Sequence, residues 1–343
     1  MASIGFGIVG LGWAASGHLL AFHANPDAEV VAVCTSKSAD EVRAFCGCDP
    51  AIYTDYAEFL KHPGLDVVDL CTPHHMHAPQ AIQAAEAGKD LMIEKPAAID
   101  YESLLAMRDA IAKAGVKSTV FFELRFIPHA ALVKSTIAHG FLGDVHHIEV
   151  DYYHGIGPWY MQYGWNAKKA IGGSALITAG CHALDALLYF HPVPVEEVFA
   201  YSARTTAPDL QEYEYDTTSV AILKFADGTI GKCVSCVDCR QPYVLNVHLV
   251  GSQGTLWNEK LWTTQIDGVR KGDWIPIPTT AAESGDVLDH PYPPQIDDFI
   301  KCLQEGRDSR INFAEAFKTH RVMFAIERSL SEARPVKLSE LPV

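Results

Sequence analysis

The apolar and polar positions of the first hundred residues alternate between two rhythms. Ile4 to Val9 is an apolar run of strand length, and it passes through Gly10-Leu11-Gly12-Trp13-Ala14-Ala15 into helical apolar periodicity that continues to Ala24. The pattern predicts a strand, a tight turn and a helix. Further strands are predicted at Val30–Cys34, Val67–Leu70 and Asp90–Ile93, the last two flanking a helical pattern at His77–Ala87. Strands that alternate with helices predict right-handed parallel connections. Residues 1–122 therefore read as an α/β Rossmann domain, a doubly wound parallel sheet. Beyond them the rhythm changes. Val220–Phe225 and Ile230–Cys239 read as strands joined through Ala226-Asp227-Gly228, an Asp-Gly hairpin signal. More strands are predicted at His146–Tyr153, Val198–Ala203 and Tyr243–Val250, and amphipathic helices at Ile296–Glu305 and Ala314–Glu332. Residues 123–343 read as an α+β second domain.

Composition narrows the function classes. A chain of 343 residues exceeds one comfortable core, and 48% hydrophobic with 20% charged residues fits a globular protein. No apolar stretch reaches membrane-spanning length, and no basic segment precedes a cleavable apolar one, so the expected location is the cytoplasm. A net charge of −15 disfavours nucleic acid, whose phosphates are gripped by clustered Lys and Arg. Nine cysteines without a secretion signal predict reduced thiols.

The Gly10–Ala15 turn carries the first candidate chemistry. Gly10 suits the tight turn, Gly12 allows close backbone approach to a pyrophosphate, and the small Ala15 permits helix–strand packing, while the helix N-terminus beginning at Trp13 and Ala14 attracts the anion. The position that commonly carries an acid to bind an adenine ribose falls at Thr35-Ser36-Lys37. Without an acid to repel a 2′-phosphate, NADP is favoured over NAD; Lys37 either pairs with that phosphate or is a solvated turn residue. Cys71-Thr72-Pro73 and Glu94-Lys95-Pro96 follow two strands at their carboxyl ends, the edge where open α/β sheets bind ligands.

Taken together, the Gly-rich turn with His18, Cys71-Thr72-Pro73 with His77, Ala87-Gly88-Lys89, Glu94-Lys95-Pro96, Arg125-Phe126 with Pro128, and Gly172-Gly173 leading to His182 and Asp185 resemble the family of glucose–fructose oxidoreductases and myo-inositol dehydrogenases over nearly the whole chain. The resemblance implies a large, mostly antiparallel sheet in the second domain, with an open face that often mediates oligomerisation, here a dimer or tetramer. It implies reversible oxidation of a ring secondary hydroxyl on a sugar, glycoside or inositol. His182 would act as general acid/base, and Lys95 would orient the hydroxyl and stabilise negative charge, both on substrate beside the nicotinamide. Thr72, Pro73, His74, His77, Glu94, Lys95 and Arg125 would approach the cofactor. The sequence departs from the common family pattern at Thr178, where an aspartate usually stands one helical turn before the histidine; Asp185, on nearly the same face, takes a supporting role.

Between Tyr153 and Gly172 lie Trp159, Tyr160, Tyr163, Trp165, Asn166, Lys168 and Lys169. With Tyr153, Trp159, Trp165 and Lys168 this segment reads as a substrate loop, its aromatic faces stacking on sugar C–H bonds; the competing reading pins a long connection to the sheet. Cys233, Cys236 and Cys239 imitate metal spacing but alternate across a strand, and His74-His75-Met76-His77 fits a loop passing a cofactor, so no metal site is predicted. Two other functions remain open: redox-neutral elimination or glycoside cleavage through transient oxidation by tightly held NAD, and dinucleotide sensing without turnover, against which Lys95 and His182 argue.

Overall fold

A computed structural model describes residues 3–280 and 287–343. The helices in chain order are α1 (Trp13–Ala24), α2 (Ala39–Cys46), α3 (Tyr56–Phe59), α4 (His77–Glu86), α5 (Tyr101–Ala114), α6 (Pro128–Ala138), α7 (Tyr163–Asn166), α8 (Lys169–Gly172), α9 (Cys181–Phe190), α10 (Tyr292–Glu305) and α11 (Phe313–Glu332). The chain divides into two compact units. One comprises Met1–Glu123, Ala170–Gly172 and Asp286–Lys318; the other comprises Leu124–Lys169, Gly173–Gly285 and Thr319–Val343.

The first unit is built on β1 (Ile4–Val9), β2 (Ala28–Cys34), β3 (Ala51–Tyr53), β4 (Val67–Leu70), β5 (Asp90–Ile93) and β6 (Ser118–Val120). Their order is β3-β2-β1-β4-β5-β6, with every pairing parallel. This is the doubly wound arrangement of dinucleotide-binding sheets. All four residues of β4 are buried, as expected of a parallel strand covered on both faces. Local signals end the helices cleanly. Asp100 caps α5 by accepting from the Ser103 amide, and Gly115, at φ 70°, closes it.

This unit is not the first 122 residues alone. Helix α10, which a division by chain order assigned to the second domain, supplies Tyr292, Ile296, Phe299 and Ile300 to the core that contains Phe6, Leu19, Phe22 and Phe121. It packs so closely on α1 that a Cβ at Gly17 would lie 2.5 Å from the Tyr292 ring. The Gln295 amide group donates to Thr119 Oγ1 and the Val120 carbonyl, both at 2.9 Å. Hydrophobic periodicity identified the helix but could not indicate which sheet it returns to.

The second unit carries β7 (Val145–Tyr153), β8 (Val195–Ala203), β9 (Thr218–Phe225), β10 (Ile230–Cys236), β11 (Val244–Gly251), β12 (Gly254–Trp257), β13 (Lys260–Thr263), β14 (Ile275–Pro276) and β15 (Val336–Lys337). They form one sheet in the order β14-β13-β12-β11-β7-β10-β9-β8-β15, antiparallel except where β7 meets β10. Period-two alternation divides its faces. In β9, Ser219, Ala221, Leu223 and Phe225 are buried, while Val220, Ile222 and Lys224 are exposed. Helix α9 packs against β7 and β10 on the buried side. A Cβ at Gly180 would fall 1.8 Å from Ser235 Oγ, which explains glycine at that approach.

Two details differ from the sequence reading. Strand β10 ends at Cys236, because the Val237 amide turns to the Thr217 carbonyl and Asp238 accepts from the Thr217 and Thr218 hydroxyls at 2.7 and 2.8 Å. Cys239 is therefore off the strand. The segment Leu176–Gly180 forms a π-helical turn before α9, so Thr178 and His182 are not related by ordinary α-helical spacing. The stretch Lys169–Phe190 is long and apolar enough to cross a membrane, yet 83% of its apolar window is buried within the protein.

Candidate active site

In the first unit the β1–α1 turn has the geometry an anion requires. Gly10 adopts φ 85°, and a Cβ there would lie 2.9 Å from the Cys71 carbonyl. Gly12 caps α1 in extended conformation, and a Cβ there would meet nothing within 4 Å. Glycine is thus demanded by the fold at position 10, whereas position 12 leaves the backbone open to an incoming group. Helix α1 has no side-chain cap, so its positive end is directed at that opening. Trp13 lies edge-on to His290 at 4.7 Å, with Ala14 half-buried beside it. These residues fit a dinucleotide pyrophosphate. Beyond β2, Ser36 and Lys37 are exposed, and Thr35 Oγ1 accepts the Lys37 amide at 3.3 Å.

The carboxyl edge of β4 and β5 is held from beneath by a buried charge cluster. His18 Nδ1 meets Asp69 at 2.9 Å and its Nε2 meets Glu94 at 3.2 Å. Burial opposes charge on this ring, but Asp69 and Cys71 outweigh it and push His18 well above the ordinary histidine value. Glu94 Oε2 accepts the backbone amide of Lys95 at 3.1 Å, so the cluster fixes the chain where the lysine emerges. The Lys95–Pro96 peptide is cis. The sequence had indicated His18 and Glu94; Asp69 was missed, although an acid inside Val67-Val68-Asp69-Leu70 was the available signal.

His77 was expected at the cofactor, but both of its nitrogens are engaged by backbone. Nδ1 lies 2.8 Å from the Pro96 carbonyl and Nε2 lies 2.7 Å from the Thr72 carbonyl, which ties the two edge loops together. The Thr72 hydroxyl donates to Gln80 Oε1 at 2.6 Å, next to Pro73. His74 is buried with Nδ1 3.2 Å from the Gly172 carbonyl, and burial, with His77 and Lys95 nearby, holds it well below the ordinary value and hence neutral. Glu123, which the sequence reading did not single out, is buried near Glu94; desolvation and that charge push its carboxyl up to about 8.

In the second unit His182 is buried on α9, and the Tyr152 ring stacks on its imidazole at 6.2 Å and 19°. Tyr152 also hydrogen-bonds His154 Nδ1 at 3.2 Å and lies edge-on to Tyr243. The sequence reading named Tyr153, not Tyr152, among the substrate residues. Alternation along β7 puts Tyr153 on the opposite face, level with Val244 and Cys236. The Thr178 hydroxyl donates to the buried Asn166 Oδ1 at 2.6 Å, while Tyr215 donates to the Asn166 carbonyl, so the threonine anchors α7 to the helix that carries His182.

Arg125 and Asp185, expected at cofactor and substrate, bind each other. Two parallel hydrogen bonds of 2.7 Å join them, Thr319 donates to the same carboxylate at 2.8 Å, and the guanidinium lies over Tyr189. This buried fork locks α9 in place. In the proposed sugar loop, Trp159 is 62% exposed with Nε1 donating to the Gly155 carbonyl. Trp165 is half-buried, and the exposed Lys168 pairs with Glu214 at 3.4 Å.

A glycine-rich dinucleotide cradle on a doubly wound sheet, in a chain that also carries a nine-stranded sheet with a buried histidine, defines a nicotinamide-linked oxidoreductase class. Residues 4–122 match the oxidoreductase family with NAD-binding Rossmann fold, and residues 130–257 match the GFO/IDH/MocA C-terminal domain; the chain belongs to this family of oxidoreductases. It is 31% identical to levoglucosan dehydrogenase of Pseudarthrobacter phenanthrenivorans over 204 residues, which cover 55% of this chain and 51% of that enzyme. It is 22% identical to myo-inositol 2-dehydrogenase of Thermotoga maritima across 98% of both chains. The solved structure of a levoglucosan dehydrogenase in complex with NADH shares the fold at TM-score 0.85 and 23% identity, covering 99% of each chain.

Proposed function

We propose that this protein is a cytoplasmic dehydrogenase that reversibly oxidises a ring secondary hydroxyl of a sugar, glycoside or inositol. The observation that carries the reading is Lys95 at the carboxyl end of β5, its backbone fixed by Glu94, in a chain that matches the family in both domains. Relatives named for levoglucosan and myo-inositol support a polyhydroxylated ring as substrate. A bound nicotinamide supplies the hydride acceptor or donor. His182 takes the hydroxyl proton, Lys95 orients that hydroxyl and stabilises its developing negative charge, and Trp159, Trp165 and Lys168 contribute to sugar recognition. A homo-oligomer assembled through the open sheet face accords with the exposed Tyr201, Val220, Ile222 and Trp257 there.

Screening sugars, glycosides and inositols for NADH or NADPH formation identifies the substrate. With it, Lys95→Ala and His182→Ala should each lower kcat about 10²- to 10⁴-fold while retaining cofactor affinity. Near-full activity in His182→Ala would remove the assigned base. Product formation with no accumulation of reduced cofactor would instead assign redox-neutral cleavage or elimination. Because Thr35-Ser36-Lys37 presents an exposed cation and no acid, NADP should bind at least as tightly as NAD. Lys37→Ala should weaken NADP selectively, and an equal loss for both cofactors in fluorescence titration would reject that preference.

A further inference from the structure

On the open face of the second sheet, three potential ligands converge outside the site described above. His147 and Glu149 are two residues apart on β7 and so share one face, and His248 on β11 stands directly across from Glu149. One ligand atom from each of the three lies within 4.8 Å of the others, and all three residues are half-buried. His147 Nε2 is 3.7 Å from Glu149 Oε2, and the two histidine rings are edge-to-face with centroids 6.1 Å apart.

We infer that His147, Glu149 and His248 form a binding site for a zinc-like first-row divalent cation. Two imidazoles and one carboxylate are a donor set for such an ion, and three protein ligands leave one position to water. In a tetrahedral site with bonds near 2.0–2.2 Å, ligand atoms stand about 3.3 Å apart. The 3.7 Å already present between His147 and Glu149 closes to this distance by small side-chain rotations, without a change in strand register. The surroundings also orient the carboxylate. Lys232 Nζ lies 2.6 Å from Glu149 Oε1 and Asn246 Nδ2 donates to the same oxygen at 3.2 Å, leaving Oε2 directed toward His147. Lys232 is itself shared with Asp151 at 3.3 Å, so the two carboxylates offset its charge beside the incoming cation. Hydrogen bonds to the far oxygen of a ligating carboxylate are the usual outer support of metal sites.

The test uses the full chain, stripped with chelator and dialysed, then titrated with Zn²⁺ by calorimetry and with Co²⁺ by visible absorption. One ion should bind per chain, and the cobalt spectrum should show ligand-field bands without thiolate charge transfer, which separates this site from the nine cysteines. His147→Gln and His248→Gln should each weaken binding by more than the roughly 10- to 100-fold typical of losing an outer-sphere partner. Both variants alter a half-buried side chain on the open face of the second sheet, and an unchanged thermal unfolding transition confirms that they fold. Absence of a stoichiometric site in the unmodified protein, a thiolate signature, or undiminished binding in the double variant would each overturn the assignment.

Discussion

Gly10 and Gly12 stand two residues apart and constrain the chain for different reasons. At Gly10 the backbone has positive φ and a Cβ would press on the Cys71 carbonyl. Gly10→Ala should therefore destabilise the protein, by about 1–3 kcal/mol from backbone strain alone, measured by urea unfolding. At Gly12 an added Cβ meets no protein atom within 4 Å, so Gly12→Val should remain folded while losing dinucleotide binding. Unchanged cofactor affinity in the folded Gly12→Val protein would refute a cradle at this turn. The tight turn at Gly10 and the open backbone at Gly12 were legible in the sequence because a strand–glycine–helix pattern has few physical solutions. Arg125 and Asp185 were less legible. Motif position indicates that such residues matter, but only folding brings a guanidinium 60 positions away onto a carboxylate, and there the pair holds α9.

At the scale of elements, strand existence was easier to read than strand facing. His146–Tyr153 was predicted within one residue of β7, yet which of Tyr152 and Tyr153 faces His182 depends on which side α9 covers. A one-residue difference in facing exchanges the two tyrosines. Tyr152→Leu should lower kcat about 2- to 10-fold, the kinetic equivalent of a ring contact worth about 0.5–1.5 kcal/mol. Tyr153→Leu, on the opposite face, should leave kcat essentially unchanged, and comparable losses in both variants would reject the stacking role. The π turn at Leu176–Gly180 was not legible, because periodicity over five residues cannot distinguish one extra residue in a turn from regular α-helix. Short strands such as β3 and β6, three residues each, also lacked enough sequence to show a period.

For the whole molecule, stability should depend on pH through Glu123. Its folded value of about 8 lies far above the ordinary carboxylate value of about 4.3, so the folded state holds a proton that the unfolded chain releases. The stabilisation is complete below the unfolded value and is lost as pH rises through the folded one. Glu123→Gln should flatten that part of the decline between about pH 5 and 8, read as urea midpoints across the range. An identical slope in the variant would show that another group carries the dependence. The composite make-up of the first unit has a further consequence, in the order of synthesis. Six parallel strands and their first helices leave the ribosome well before α10, which completes their core with Tyr292, Ile296 and Phe299. At about 5–20 residues per second, the face formed by Phe6, Leu19 and Phe22 waits on the order of ten seconds or more for its cover. The nascent protein therefore exposes an apolar surface through most of its translation, and a chaperone that shields such surfaces would find its substrate on the growing chain.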